Sequence, residues 1–192
     1  MYLIDKKNKF NRFNFILYKV ESIKPIFILI TIMNLLTTSQ KDEKFANVAL
    51  QEAEKSNMKY HQHGCVAVMD GCIIARGHNS TRAYSNDGYL NNTCSCHAEI
   101  DVLRKINKIN NKNGSLLKKI SMYVVRKPVK KYYFKESSPC FRCLQFMKSL
   151  HIKYIIWSNQ EGELSKCKVN DYYMPRPYLT SGDVFMEDRL EQ

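Results

Sequence analysis

Two short clusters combine side chains that bind metals with one that can move protons. They are residues 96–99 (Cys-His-Ala-Glu) and residues 139–143 (Pro-Cys-Phe-Arg-Cys). Cys140 and Cys143 lie one turn apart at a predicted loop-to-helix junction, where a helix N-terminus stabilises thiolates. Together with His97 they form a ligand set that zinc prefers, and three protein ligands leave a fourth position open, as in catalytic zinc sites.

Glu99 lies two residues after His97, in the first turn of the same predicted helix. Its carboxylate can reach a water molecule on the metal without itself binding the metal. Zinc lowers the pKa of that water to near neutrality, and a neighbouring carboxylate can carry its proton. The residues therefore predict one catalytic Zn²⁺ per chain, held by His97, Cys140 and Cys143, with Glu99 as the catalytic proton carrier.

A closed structural zinc site is an alternative that the same segments allow. Its four ligands would be Cys94, Cys96, Cys140 and Cys143. This arrangement leaves His97 and Glu99 without a role, and the Cys94-x-Cys96 spacing is tighter than that of common zinc knuckles.

The segments around the two clusters alternate between helix and strand. Ser39 or Thr38 can cap a helix over about 40–57, and the Asp70-Gly71 pair between two β-rich runs predicts a hairpin. The remaining predicted elements are a loop over 77–96, a helix from about 97, a strand over 122–125, a helix over 140–150, a strand over 154–157 and a turn over 158–162. This alternation predicts an α/β fold whose later strands run parallel, with a five-stranded mixed sheet in a three-layer α-β-α arrangement.

The His97-x-Glu99 and Pro139-Cys140-x-x-Cys143 motifs, in this order of elements, resemble the cytidine/deoxycytidylate deaminase superfamily over roughly residues 40–160. The resemblance implies a cytidine-deaminase-like fold and a homo-oligomer. It also implies hydrolytic deamination of a cytosine nucleoside or nucleotide, with deoxycytidylate as the first candidate. Zinc-activated water would attack C4, and Glu99 would shuttle the protons. The resemblance further implies that the substrate contacts Asn79, Ala98 and Ser138.

The chain also departs from that family's pattern. Residues 127–137 intervene before the Pro-Cys pair, and Ile-Asp-Val at 100–102 follows the glutamate. These departures concern the substrate, so two other functions stay open. One is a base deaminase acting on RNA or DNA, similar to the tRNA adenosine deaminases. The other is a non-catalytic, zinc-stabilised module that binds nucleic acid.

The net charge of +12 favours polyanionic partners. Residues 103–135 carry eleven basic side chains and no acidic one, and Lys130, Lys131 and Lys135 bracket three aromatic residues. Such a tract can bind nucleic acid. The favoured explanation is a solvated helix face and a lysine-rich edge strand.

The N-terminal segment 1–36 differs from the rest and is predicted to be an extension, with residues 37–192 forming the deaminase-like domain. Met33 would be a sensible initiator. The apolar run at 25–36 is too short for a membrane span, although weak membrane association of this segment stays an alternative. Seven cysteines, an odd number, without a clear signal peptide predict a reducing compartment and a cytoplasmic protein.

Overall fold

The computed structural model describes residues 35–109, 117–128, 134–174, 178–180 and 182, all within the unit Asn34–Gln192. The predicted extension 1–36 lies outside these residues apart from its last two. The described elements are α1 Gln40–Ala53, β1 His63–Met69, β2 Cys72–His78, α2 Ala98–Ile109, β3 Ser121–Arg126, α3 Phe141–Ser149, β4 Tyr154–Ser158 and β5 Leu164–Lys168, with 3₁₀ turns at Leu117–Lys119 and Val169–Asp171. None of these helices is long and apolar enough to cross a membrane.

The five strands form one mixed sheet in the order β2-β1-β3-β4-β5. The predicted hairpin is confirmed, because β1 and β2 pair antiparallel across Asp70 and Gly71, whose φ angles of 49° and 82° are those of a type I′ turn. The predicted parallel pairing is confirmed for β3 and β4. The fifth strand, β5, was not located from the sequence, and it runs antiparallel to β4, which makes the sheet mixed as predicted. Only the turn at 159–163 joins these two strands, and a parallel return needs a much longer crossover.

The helices cover the two faces of the sheet, which confirms the three-layer α-β-α arrangement. Helix α1 packs on the face that carries Val66, Tyr123 and Ile156. Helices α2 and α3 contact each other on the opposite face. The approach of α1 is close at Gly64, where an added Cβ would lie 1.9 Å from the Ala49 carbonyl oxygen. A glycine at this position therefore lets the helix backbone rest directly on β1.

The capping box at the start of α1 also connects the helix to the sheet. Ser39 and Asp42 form a capping box, in which each side chain accepts the other residue's backbone N–H. The Asp42 carboxylate is only 3% exposed, and it also accepts hydrogen bonds from the Tyr123 hydroxyl at 2.8 Å and Lys166 Nζ at 3.1 Å. Burial acts to raise the pKa of Asp42, but the hydrogen bonds from Tyr123, Ser39 and Lys166 outweigh it and hold the pKa below its ordinary value.

We expect Asp42→Asn to lower the free energy of unfolding near pH 7 by about 2–4 kcal/mol, because the helix loses part of its cap and a buried charge-assisted network. A lowered folded pKa means that the carboxylate's stabilisation is present above its unfolded pKa, near 4, and is lost as the pH falls through the folded pKa. Urea unfolding from neutral to acid pH should therefore show the difference between the two proteins shrinking below about pH 4. Glu43→Gln, in the same turn but exposed, is the control. Equal stability of Asp42→Asn and the wild type near pH 7 would contradict this account.

Helix α1 ends at Ala53, four residues before its predicted end near 57. Ser56 lies beyond the helix and hydrogen-bonds Asn79 through its hydroxyl, 2.7 Å from Oδ1. This polar contact connects the end of α1 to the loop after β2. The shorter helix is thus explained by a tertiary contact of Ser56, which a helical continuation would not provide.

Candidate active site

The three predicted metal ligands meet at the N-termini of two helices. His97 directly precedes α2, Cys140 is the N-cap of α3, and Cys143 lies in the first turns of α3. Their ligand atoms all lie within 4.8 Å of one another. His97 Nδ1 is 3.3 Å from Cys143 Sγ and 3.4 Å from Cys140 Sγ. The loop-to-helix junctions that the sequence predicted therefore bring one imidazole and two thiols together.

The dimensions and chemistry of this cluster fit zinc. Tetrahedral zinc with bonds of about 2.0 Å to nitrogen and about 2.3 Å to sulfur holds such a pair roughly 3.5 Å apart. A hydrogen bond from Cys143 lowers the pKa of the Cys140 thiol well below its ordinary range; burial opposes this shift, and His97 adds to it. The thiolate form, which binds metal, is thus favoured before any ion enters.

The closed four-cysteine alternative is not assembled in the described part of the chain. The metal-binding cluster found there consists of His97, Cys140 and Cys143. Cys94 is exposed, and its thiol hydrogen-bonds the Gly182 carbonyl at 3.2 Å. Burial raises the pKa of Cys96 to about 11, which keeps this thiol protonated near neutral pH. The three-ligand set leaves a coordination position for chemistry.

Glu99 lies beside the cluster, in the first turn of α2, and is only 6% exposed. Burial raises the pKa of this carboxyl; the imidazole of His97 opposes the shift, and the Cys140 thiolate adds to it. The neighbouring Cys143 thiol also acts to lower this pKa. A buried carboxyl with a raised pKa can accept and return a proton under mild conditions.

Asn79, the predicted sugar or base contact, is held by the protein on nearly every side. Its Oδ1 accepts hydrogen bonds from the Ser56 hydroxyl at 2.7 Å and the His63 N–H at 2.8 Å. Its Nδ2 donates to the His61 carbonyl at 2.7 Å. Both lone pairs of Oδ1 and one of the two amide N–H bonds are therefore used. No acceptor for the second N–H lies among the described residues.

The other two predicted substrate contacts differ in their surroundings. Ala98 is the first residue of α2, where backbone N–H groups have no acceptor within the helix. Ser138 lies two residues before Cys140, but its N–H donates to Glu136 Oε1 at 2.9 Å. Its side chain hydrogen-bonds Tyr172. Contact of Ser138 with the substrate therefore stays a prediction.

Two residues near the centre were not singled out from the sequence. His63 opens β1, and its Nδ1 lies 2.7 Å from the His61 carbonyl. Strand alternation from Cys65 could have placed His63 on the α2 face. Tyr172 is buried, and its ring packs against Trp157 with centroids 5.2 Å apart. Tyr172 follows the last strand, in a part of the chain where the sequence had no readable pattern.

Several basic residues of the tract 103–135, which was predicted as a possible nucleic-acid-binding surface, form ion pairs. Arg104 is buried and lies 2.7 Å from the Asp87 carboxylate, Lys105 pairs with Asp101 at 2.7 Å, and Lys119 lies 3.8 Å from Asp70. Residues 110–116 and 129–133 of the tract lie outside the described residues, Lys130 and Lys131 among them. Binding of nucleic acid by this tract stays a prediction.

A mixed sheet between helices, with a His-Cys-Cys cluster and a buried glutamate at two helix N-termini, defines a class of zinc-dependent hydrolytic deaminases. Comparison with protein families matches residues 39–159 to the cytidine and deoxycytidylate deaminase zinc-binding region. The chain belongs to this family. It is a zinc-dependent deaminase with one Zn²⁺ site, formed by the cluster described above.

Comparison with solved structures finds several similar chains. The fold is shared with the cytidine deaminase of Burkholderia pseudomallei, which is 18% identical with a TM-score of 0.50, over 73% of this chain and 100% of that chain. The deoxycytidylate deaminase of cyanophage S-TIM5, in complex with dCMP and dUMP, is 22% identical with a TM-score of 0.48, over 65% and 85%. A tRNA:A34 deaminase is 26% identical with a TM-score of 0.42, over 62% and 76%. No curated protein sequence matches the chain.

Proposed function

We propose that this protein deaminates a cytosine nucleoside or nucleotide, with deoxycytidylate as the first candidate. The observation that carries the proposal is the position of buried Glu99 beside a three-ligand His97, Cys140 and Cys143 cluster. The reaction consumes one water and gives the corresponding uracil compound and ammonia. When bound, zinc supplies a Lewis acid that lowers the pKa of water towards neutrality.

The chain's own part in the reaction is proton transfer by Glu99. The carboxylate takes a proton from the water that adds to C4 of the cytosine ring, and it delivers this proton to the ring nitrogen N3. A second proton passes through Glu99 to the exocyclic amine, the C4–N bond breaks, and ammonia leaves. The raised pKa of Glu99, which burial causes, supports this role because the group must accept and release a proton in each cycle.

Three neutral groups would orient the base and sugar. The free N–H of Asn79 can donate to a sugar hydroxyl, since the other bonds of that amide hold it rigidly in place. The Ala98 N–H, at the N-terminus of α2, can donate to the C2 carbonyl of the ring. Ser138 would contact the pyrimidine edge from the segment before Cys140.

Ammonia release by the purified protein tests this function. The panel contains cytidine, deoxycytidine, CMP, dCMP, adenosine, guanine and a tRNA, with zinc content measured on the same sample. We expect release from at least one cytosine compound, at about one zinc per chain. Release from tRNA alone would overturn the free-nucleotide proposal in favour of a base deaminase. A zinc-loaded protein that is silent on the whole panel would favour the binding module. Light scattering of the same sample tests the expected homo-oligomer.

A further inference from the structure

Arg126 is the last residue of β3, the central strand of the sheet. The chain leaves this end of β3 in the loop that leads to Cys140. The cross-strand partner of Arg126 is His63, the first residue of β1. Cross-strand partners share a face of the sheet, and alternation places His63 on the same face as Cys65. The carboxyls of Glu99 and Asp101 on α2 act on the Cys65 thiol, whose pKa burial raises first. Arg126 and His63 therefore lie on the α2 face of the sheet.

Backbone contacts locate Arg126 relative to the metal ligands. The carbonyl of Val124, two residues before Arg126 on β3, accepts a hydrogen bond from the Ser137 hydroxyl at 2.8 Å, and Ser137 lies three residues before Cys140. The backbone N–H of His63, the cross-strand partner of Arg126, is bound by Asn79, which connects the same end of the sheet to the predicted sugar contact. The loop to Cys140 also passes here, since Lys135 forms a bridge with Arg126.

Arg126 carries a guanidinium at this end of the sheet, and no role has been assigned to it so far. Arg76 lies 3.9 Å from Glu52, and Arg104 lies 2.7 Å from Asp87. By contrast, no salt bridge within the described ranges involves Arg126, although its side chain is partly buried. Arginine keeps its charge when buried, and its planar fork matches the oxygens of a phosphate. A half-buried arginine that has no carboxylate partner among the described residues, on the strand that leads into the loop to Cys140, is suited to an anionic part of the substrate.

We propose that Arg126 binds the 5′-phosphate of the substrate, so that the enzyme selects a cytosine nucleoside monophosphate over the free nucleoside. This inference rests on the proposed deaminase function. The base lies at the His97, Cys140 and Cys143 centre, Asn79 contacts the sugar, and the phosphate reaches the end of β3. Arg126 is thus a specificity-determining residue and takes no part in proton transfer.

Arg126→Gln tests the proposal through selectivity. We expect the ratio of kcat/KM for dCMP to that for deoxycytidine to fall about 10- to 100-fold, mainly through a higher KM for dCMP, because one charge-assisted contact is lost. Arg76→Gln is the matched control. It removes the same charge from β2, but Arg76 is paired with Val66 on the α1 face, near Glu52. The control should keep the wild-type ratio. An unchanged ratio in Arg126→Gln, or an equal loss on both substrates, would overturn the proposal.

Calorimetry with the products separates failure of this inference from failure of the proposed function. Wild-type protein should bind dUMP about 10- to 100-fold more tightly than deoxyuridine, and Arg126→Gln should lose most of that difference. This measurement needs no turnover. If no cytosine compound releases ammonia but the binding difference is as expected, only the deaminase proposal is overturned. Loss of binding in Arg126→Gln for a cytosine oligonucleotide, with dUMP unaffected, would overturn the mononucleotide assignment.

Discussion

Glu99→Gln is expected to reduce kcat for deamination by about 10³-fold while zinc content and fold stay those of the wild type. Glutamine has nearly the same shape as glutamate and can still occupy the buried space beside Cys143. It cannot accept a proton from water or return one to N3 and the leaving amine. Because the interaction is lost in the transition state and not in substrate binding, kcat should fall far more than KM rises.

The control for this change is Glu52→Gln, which removes the charge of another buried glutamate. Glu52 lies on α1 and pairs with Lys55 at 2.7 Å, on the other side of the sheet from the metal centre. Its substitution should lower stability without lowering kcat. Activity, zinc by atomic absorption and circular dichroism are measured on all three proteins. Glu99→Gln protein with more than about a tenth of wild-type kcat would refute the assigned role of Glu99.

The metal centre could be predicted from the sequence because its parts are local. Each helix N-terminus is marked by its own short motif, and the ligands are placed by the first turns of α2 and α3 rather than by distant packing. Glu99 follows His97 within one helical turn, so its proximity to the metal needs no long-range contact. The hairpin before them was equally local, since Asp70 and Gly71 specify the turn by their positive φ angles.

The features that were missed depend on partners far away in the chain. The end of α1 is decided by Ser56 bonding to Asn79, 23 residues later. β5 follows the predicted turn at 158–162, but no pattern in its own residues, Leu164–Lys168, marked it as a strand. Tyr172 is brought against Trp157 by the chain after β5. The role of Arg126 rests on its strand register opposite His63, which sequence alone does not give. The proposed phosphate contact therefore depends on the least local part of the fold.

Cys143→Ser is expected to lower the zinc content from about one ion per chain to almost none, and deamination to background. Cys143 is fully buried and lies 3.3 Å from His97 Nδ1, so its loss opens the cluster on its interior side. Serine is a poor zinc ligand because its hydroxyl stays protonated near neutral pH. Zinc stabilises the folded chain as long as it binds the native state more tightly than the unfolded one, so the melting temperature should fall as well.

Cys167→Ser separates the loss of metal from the loss of a buried thiol. Cys167 lies on β5 and is equally buried, but it is outside the metal cluster. This variant should lose stability through a buried hydroxyl, yet keep its zinc and its kcat. Dialysis of wild-type protein against a chelator should reproduce the Cys143→Ser phenotype, and added zinc should restore activity to the wild type only. If Cys143→Ser retained stoichiometric zinc, the third ligand would have to be another residue. If both serine variants lost activity equally with zinc bound, the effect would come from packing, since only one of them touches the metal cluster.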